Sequence, residues 1–79
     1  MKNQLTIIKL RENQEAEIIS IIGGRMANKR LADLGLTSGT KVRVLRKAPF
    51  FGPIEIEVRG SELVLGRGLA SKILVKRHE

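Results

Sequence analysis

The segment "KVRVLRKAPFFGPIEIEVRG", residues 41–60, contains two alternating stretches separated by a loop rich in Pro and Gly. In both stretches apolar residues occupy every second position, and charged residues fill most positions between them. A period of two is typical of antiparallel strands that have one buried and one solvated face. The residues predicted to point inward are Val42, Val44, Ile54, Ile56 and Val58.

The loop between the two strands, Ala48–Pro53, holds both prolines and both phenylalanines of the chain. Pro49 and Pro53 fix their own φ angles, and Gly52 allows a tight bend. Neighbouring residues of an extended chain point in opposite directions. We therefore expect one phenylalanine to be buried and the other, Phe51, to be exposed at little entropic cost.

The segment "RMANKRLADLG", Arg25–Gly35, is predicted to form the one substantial helix. Ala27, Leu31 and Leu34 follow the spacing of an apolar helical stripe, and the basic residues lie mainly off it. Gly35 suits the left-handed position that ends many helices, and Leu36 is expected to fold back on the last turn.

Three further short strands are predicted outside these segments. They are Glu15–Gly24, with an ambiguous register and expected burial on both faces; Glu62–Leu65, after a turn at Gly60–Ser61; and "KILVK", with Ile73 and Val75 inward. "TSGT", Thr37–Thr40, predicts a turn with positive φ at Gly39, and "GRGLAS" a connection with room for one helical turn. The pattern of apolar residues between Leu5 and Leu10 does not indicate whether this segment forms a strand, a helix or a loop.

These elements predict one domain, residues 1–79, of the all-β class with one short helix. A chain of 79 residues with 42% apolar residues can form a single packed core. About five antiparallel strands protect their edges best by curling into a small β-barrel.

The composition argues against an enzyme and against a resident metal or cofactor. There is no cysteine, and the one histidine is His78, beside Glu79 at the end of the chain. No acid–base pair has a spacing that suggests catalysis. Glu55 and Glu57 lie two apart on an outward strand face, where we expect them to pair with strand neighbours such as Arg43.

The formal net charge of +7 suggests an anionic partner: nucleic acid, the inner membrane face or an acidic protein surface. A merely solvated basic surface is an equally good interpretation. The absence of Trp and Tyr argues against base stacking and against a Pro-rich peptide groove, so no specific nucleic-acid ligand is expected. The longest early apolar run, Ile18–Ile22, is too short for a signal or a membrane span, so we expect a soluble cytoplasmic protein without membrane insertion.

The order and spacing of these motifs resemble the FeoA family across almost the whole chain. The matching frame is "LADLGL" followed by "SGTKVRVLRKAPFFGPIEIEVRGSELVLGRGLASKILV". This sequence departs from the family pattern where Gly52 directly precedes Pro53, and where Gly66 and Leu69 replace two expected polar residues. Contacts made by those polar residues elsewhere in the family are therefore not expected here.

The resemblance implies an SH3-like barrel that serves bacterial ferrous iron uptake through contact with the cytoplasmic part of a FeoB-type membrane transporter. The transition metal would then belong to the transport system and not to a site in this chain. The alternative is a metal-sensing or nucleic-acid-associated module, like the C-terminal domain of DtxR-type repressors. Self-association through exposed strand edges stays open.

The candidate contact surface combines one face of the helix with the Pro–Gly loop. An exposed aromatic anchor with a charged rim is typical of interaction hot spots. The predicted partner-binding residues are Arg25, Lys29, Arg30, Pro49, Phe50, Phe51, Gly52 and Pro53.

Overall fold

The computed structural model describes residues 4–77, with side chains from Leu5 onward. In this part of the chain there are six strands, two α-helices and one short 3-10 helix. The strands are β1 (Gln4–Thr6), β2 (Glu15–Ile21), β3 (Lys41–Lys47), β4 (Ile54–Val58), β5 (Ser61–Leu65) and β6 (Ile73–Arg77). The helices are α1 (Gly24–Asp33) and α2 (Arg67–Ala70), and the 3-10 helix covers Ile7–Lys9.

The six strands form one sheet in the order β1-β6-β2-β3-β4-β5, and every neighbouring pair is antiparallel. Consecutive connections join β3, β4 and β5, whereas β6 returns to lie between β1 and β2. The sheet is not closed, because β1 and β5 are its edges. The large side chains that are fully buried in the core are Ile7, Leu10, Ile18, Leu31, Leu36, Val42, Val44, Ile54, Ile56, Leu65, Ile73 and Val75.

Alternation places the side chains of β3 and β4 as the sequence predicts. The five residues expected to point inward are all buried, and Ile73 and Val75 of β6 are buried as well. The prediction of an all-β fold with one substantial helix is confirmed. The sheet has a sixth strand, because the lead-in at Leu5 pairs with Val75 as part of β1.

The end of α1 follows the predicted capping geometry. Gly35 has φ +86, its N–H donates to the Ala32 carbonyl at 2.8 Å, and the Leu36 N–H donates to the Leu31 carbonyl at 2.9 Å. These two bonds define a Schellman motif, and they carry Leu36 into the core, where it is fully buried. Leu34 was predicted to belong to the buried stripe, but it is 43% exposed because it occupies the C-cap, where the helical geometry ends.

The prediction that β2 is buried on both faces is wrong. Ala16 and Ile18 are buried, but the pairing with β6 shifts register between Ile18 and Ser20, and Ser20 is exposed. Such an irregularity inserts a residue and reverses which side chains face inward beyond it. Ile19 and Ile21 on either side are only half-buried.

The turn between β4 and β5 lies one residue earlier than predicted. Arg59 and Gly60 form it, with φ angles of +52 and +81, and Val58 pairs directly with Ser61. A two-residue connection with positive φ at both positions has the geometry of a type I′ turn, whose twist matches that of the strands it joins. The predicted positive φ of Gly39 is confirmed at +90.

Candidate partner-binding surface

Two backbone hydrogen bonds close the loop between β3 and β4, Ala48–Pro53. The Ala48 N–H donates to the Pro53 carbonyl at 3.0 Å, and the Gly52 N–H donates to the Pro49 carbonyl at 3.1 Å. The inner bond encloses the two phenylalanines, whose φ angles are both positive, at +58 and +60. This is again the geometry of a type I′ turn, formed here at the tip of a longer loop.

Both phenylalanines lie in a backbone region that bulky residues rarely adopt. For a residue other than glycine, the left-handed conformation costs about 1–2 kcal/mol. Type I′ turns ordinarily place Asn and Gly at these two positions because those residues tolerate it best. Phe50 and Phe51 thus lower the conformational stability of this loop.

The expectation that one phenylalanine is buried is wrong. Phe50 is 94% exposed and Phe51 is 85% exposed. The expectation rested on extended chain, in which neighbours alternate, whereas a type I′ turn directs both side chains away from the domain. The predicted exposure of Phe51 is confirmed, and Phe50 joins it to form an aromatic tip.

Gly52 is essential to the closure of this loop for a steric reason. A Cβ atom at Gly52 would lie 2.8 Å from the Ala48 Cβ and 3.0 Å from the Pro49 carbonyl oxygen. Neither atom belongs to a flexible side chain, so the chain approaches itself too closely here for any other residue. The glycine and the two prolines together restrict the backbone of the loop that carries the aromatic tip.

Arg67, at the start of α2, contacts the loop from the side. Its Nε donates to the Gly52 carbonyl at 3.2 Å, and its guanidinium carbon lies 5.8 Å from the centre of the Phe51 ring. That distance is within the range of a cation–π contact. The sequence does not reveal this contact, since nothing in "GRGLAS" indicates which distant loop Arg67 meets.

The predicted basic residues of α1 are all exposed. Arg25, Lys29 and Arg30 lie on the solvent side of the helix, together with Met26, which is 80% exposed. The buried side of α1 is formed by Ala27 and Leu31. Helix α1 packs on β2, whereas the loop is contacted by α2. The two parts of the predicted surface are therefore held in place by different elements of the fold.

The outward charges of the sheet pair across strands. Arg43 donates to the Glu15 carboxylate at 2.8 Å, and Arg46 lies 3.8 Å from the Glu55 carboxylate. The hydrogen bond and the charge of Glu15, with a smaller contribution from Glu57, raise the pKa of Arg43 above its ordinary value. The prediction that Glu55 and Glu57 pair with strand neighbours is confirmed for Glu55, which pairs with Arg46. Glu57 lies opposite Arg43 in the strand register, but Arg43 pairs with Glu15.

Within residues 4–77, no three His, Cys, Asp or Glu side chains are grouped closely enough to hold a metal ion. His78 and Glu79 lie outside the described residues. Neither helix of the described chain has the length and apolar character needed to cross a membrane.

Comparison with known proteins gives a consistent picture. Residues 5–77 match the family model described as the FeoA domain. A relative from Methanocaldococcus jannaschii named Fe(2+) transport protein A is 38% identical over 69 residues, which cover 87% of this chain and 82% of the relative. A crystal structure of an iron uptake regulatory protein (FeoA) superposes with a TM-score of 0.88 at 31% identity, covering 95% of this chain and 99% of that one.

Two more distant structures bear on the fold alone. FeoA of Stenotrophomonas maltophilia, crystallised with zinc and described as a prokaryotic SH3 domain protein, has a TM-score of 0.78 at 24% identity, covering 91% of this chain and 89% of that one. A manganese-dependent transcriptional repressor has a TM-score of 0.86 at 20% identity, with 95% of this chain matching 42% of the repressor.

The fold is that of a small SH3-like β domain, and the β3–β4 loop gives it an exposed aromatic tip. The family match covers nearly every described residue. The chain belongs to the FeoA family, whose members are accessories of ferrous iron transport.

Proposed function

We propose that this protein is a cytoplasmic accessory of a bacterial ferrous iron uptake system, and that it acts by contact with a FeoB-type transporter. The observation that carries the proposal is the rigid loop that exposes Phe50 and Phe51 almost completely. Two strained aromatic residues held in water contribute little to the fold beyond the contact of Phe51 with Arg67, so a binding role accounts for them.

The mechanism is differential binding, without chemistry in this chain. An accessory shifts the assembly or the GTPase cycle of a transporter only by binding one of its states more tightly than the other. The proposed contact residues are the basic face of α1 (Arg25, Lys29 and Arg30) and the loop from Pro49 to Pro53. The helix supplies charge complementarity, and the loop supplies the apolar anchor.

Binding to the purified cytoplasmic part of the transporter, without lipid, tests the charged contact. We expect reversal of the α1 charges, Arg25→Glu, Lys29→Glu and Arg30→Glu combined, to weaken binding about tenfold or more, because charge pairs at an interface set both attraction and orientation. The matched control is charge reversal of Lys41→Glu and Lys76→Glu on the sheet, which should leave binding nearly unchanged. No binding by the unmodified protein would refute the proposal.

The anchor is tested with membranes that contain the whole transporter. Phe51→Ala should weaken association several-fold while the domain stays folded, because the side chain is almost entirely exposed. Val64→Ala, which truncates another exposed apolar side chain on β5, is the control. Unfolding of Phe51→Ala would show that the ring supports the core.

A second candidate is a nucleic-acid-associated module, favoured by the close fold similarity to the manganese-dependent repressor and by the net charge of +7. Phosphate contacts would make such binding steeply dependent on salt. Salt-sensitive retention of DNA, with no binding to the transporter, would favour this second function.

A further inference from the structure

The loop that carries the aromatic tip lies at a basic end of the molecule. The Lys47 N–H donates to the Glu12 carboxylate at 3.2 Å, and the Lys47 ammonium donates to the Ile8 carbonyl at 2.9 Å. With Arg67 held on Gly52, these contacts bring the 3-10 helix, the base of β3 and α2 together beneath the loop. These segments and the strand ends that flank the loop carry five basic residues, Lys9, Arg11, Arg46, Lys47 and Arg67, and two acidic ones, Glu12 and Glu55, of which Arg46 and Glu55 pair with each other.

The polar backbone groups at the base of the loop are mostly paired, whereas the N–H groups of Phe50 and Phe51 at its tip have no hydrogen-bond partner in the described chain. Pro49 and Pro53 have no N–H, and the N–H groups of Ala48 and Gly52 are bonded within the loop. The Gly52 carbonyl accepts from Arg67. Unpaired backbone groups make entry into an apolar layer costly, so a shallow contact that buries the two rings and leaves the tip backbone among polar groups is the least costly.

We propose that this end of the protein docks on an anionic membrane surface, with Phe50 and Phe51 entering the headgroup layer and the surrounding basic residues pairing with lipid phosphates. The docking is peripheral. Aromatic rings favour the interfacial layer, and cations near an anionic leaflet add to the attraction. Attachment of this kind needs two weak attractions together. This end of the molecule supplies an apolar attraction from the two rings and an electrostatic one from the basic residues.

The shape of the tip favours lipid over a protein groove. The exposed apolar side chains at the loop are Pro49, Phe50, Phe51 and Pro53, a narrow convex knob. A stable protein interface buries about 800 Å² on each partner and needs a broader complementary face. A fluid headgroup layer can accept a narrow knob without such a face, and the excess of basic residues around it complements anionic lipid.

The inference revises one part of the proposed function: it assigns the aromatic tip to lipid and keeps the α1 face as the contact with the transporter. Vesicles that contain no transporter test it. We expect the unmodified protein to sediment with vesicles of phosphatidylglycerol and phosphatidylcholine in equal parts, to bind phosphatidylcholine alone far more weakly, and to lose binding as salt is raised.

A double substitution distinguishes the contribution of the aromatic tip to membrane binding from its contribution to folding. Phe50→Asn with Phe51→Gly keeps the turn geometry and removes both rings, so the domain should remain folded, as circular dichroism will show. We expect it to weaken binding to the anionic vesicles about tenfold or more, which is the scale of withdrawing two rings from an apolar layer. Val64→Ala is the matched control and should bind as the unmodified protein does.

A spectroscopic probe locates the contact. The chain has no tryptophan, so Phe51→Trp introduces a single reporter at the tip. Its emission should shift to shorter wavelength, and become shielded from an aqueous quencher, when anionic vesicles are added. The same reporter at Val64→Trp should show neither change.

Three results would overturn the inference. The first is the absence of binding to anionic vesicles at low salt. The second is binding that survives the double substitution but is lost on reversal of the α1 charges, which would show simple adhesion through the helix. The third is a tip reporter that responds to the lipid-free transporter fragment and not to vesicles, which would assign the tip to a protein groove and leave the proposed function intact.

Discussion

The two type I′ turns of this molecule have nearly the same backbone conformation. They differ in how well the residues at their two central positions tolerate it. At the β4–β5 turn, Arg59 and Gly60 have φ angles of +52 and +81, and the glycine tolerates its conformation without steric cost. At the tip of the β3–β4 loop, Phe50 and Phe51 have angles of +58 and +60, and both are bulky. The β4–β5 turn has a glycine at one of its two left-handed positions and a bulky residue, Arg59, at the other, whereas the aromatic turn has a bulky residue at both.

This difference between the turns distinguishes residues that suit the backbone conformation of the fold from residues that the fold accommodates at a cost in stability. Natural sequences are largely consistent between local preference and global structure, and the exceptions concentrate at functional sites. The β4–β5 turn makes the tightest possible connection between two strands and needs nothing more. The β3–β4 loop holds a costly pair of residues in an exposed position, which is the cost that the proposed contact role explains.

The largest expected effect comes from Gly52→Ala. The new Cβ would meet the Ala48 Cβ and the Pro49 carbonyl at sub-contact distances, so the loop must open or shift. We expect a loss of about 2 kcal/mol in the free energy of unfolding, which urea denaturation will measure. Gly66→Ala, at a position where a Cβ meets nothing within 4 Å, is the control. Equal effects of the two substitutions would show that the loop is not closely packed on itself.

The second-largest expected effect is an increase in stability, and it tests the comparison between the two turns directly. Replacing Phe50 by Asn and Phe51 by Gly gives the aromatic turn the residues that its backbone prefers, so we expect stabilisation by about 1–2 kcal/mol, measured as a rise in the denaturation midpoint. The same variant is expected to lose its membrane attachment. A decrease in stability would mean that the rings support the domain, and the two turns would then not differ in kind.

The smallest effect is expected at the other turn. Gly60→Ala places a side chain at φ +81 with no atom within 4 Å of the new Cβ, so the cost is purely conformational. We expect a loss of about 1 kcal/mol in the free energy of unfolding. Ser61→Ala at the adjoining strand residue serves as the control and should have a smaller effect. An unchanged stability would indicate that the turn relaxes to another type.

Much of the fold could be predicted because the deciding patterns are local. Alternation identified the inward residues of β3 and β4, and the Leu-Gly-Leu end of α1 identified its Schellman motif. The three-residue strand β1 was missed because Leu5 stands beside apolar residues that continue into a 3-10 helix. The irregularity after Ile18 was missed because an inserted residue has no signature in a run of isoleucines.

The candidate site was predicted in part for the same reason. The loop was recognised from its composition, since prolines, glycine and aromatic residues meet nowhere else in the chain. The orientation of Phe50 was wrong because the alternation rule assumes extended backbone, and only the folded loop shows the turn. Arg67 reaches the loop through the packing of α2, a long-range contact that local sequence does not encode.

The position of β6 in the sheet has a consequence for synthesis on the ribosome. The strand nearest the end of the described chain, Ile73–Arg77, pairs on one side with β1 and on the other with β2. Until Arg77 has left the exit tunnel, those two strands have no shared neighbour, and a nascent chain can form only the β2–β5 meander. Completion of this domain therefore waits for β6, which is inserted between β1 and β2 only after the rest of the sheet has been made.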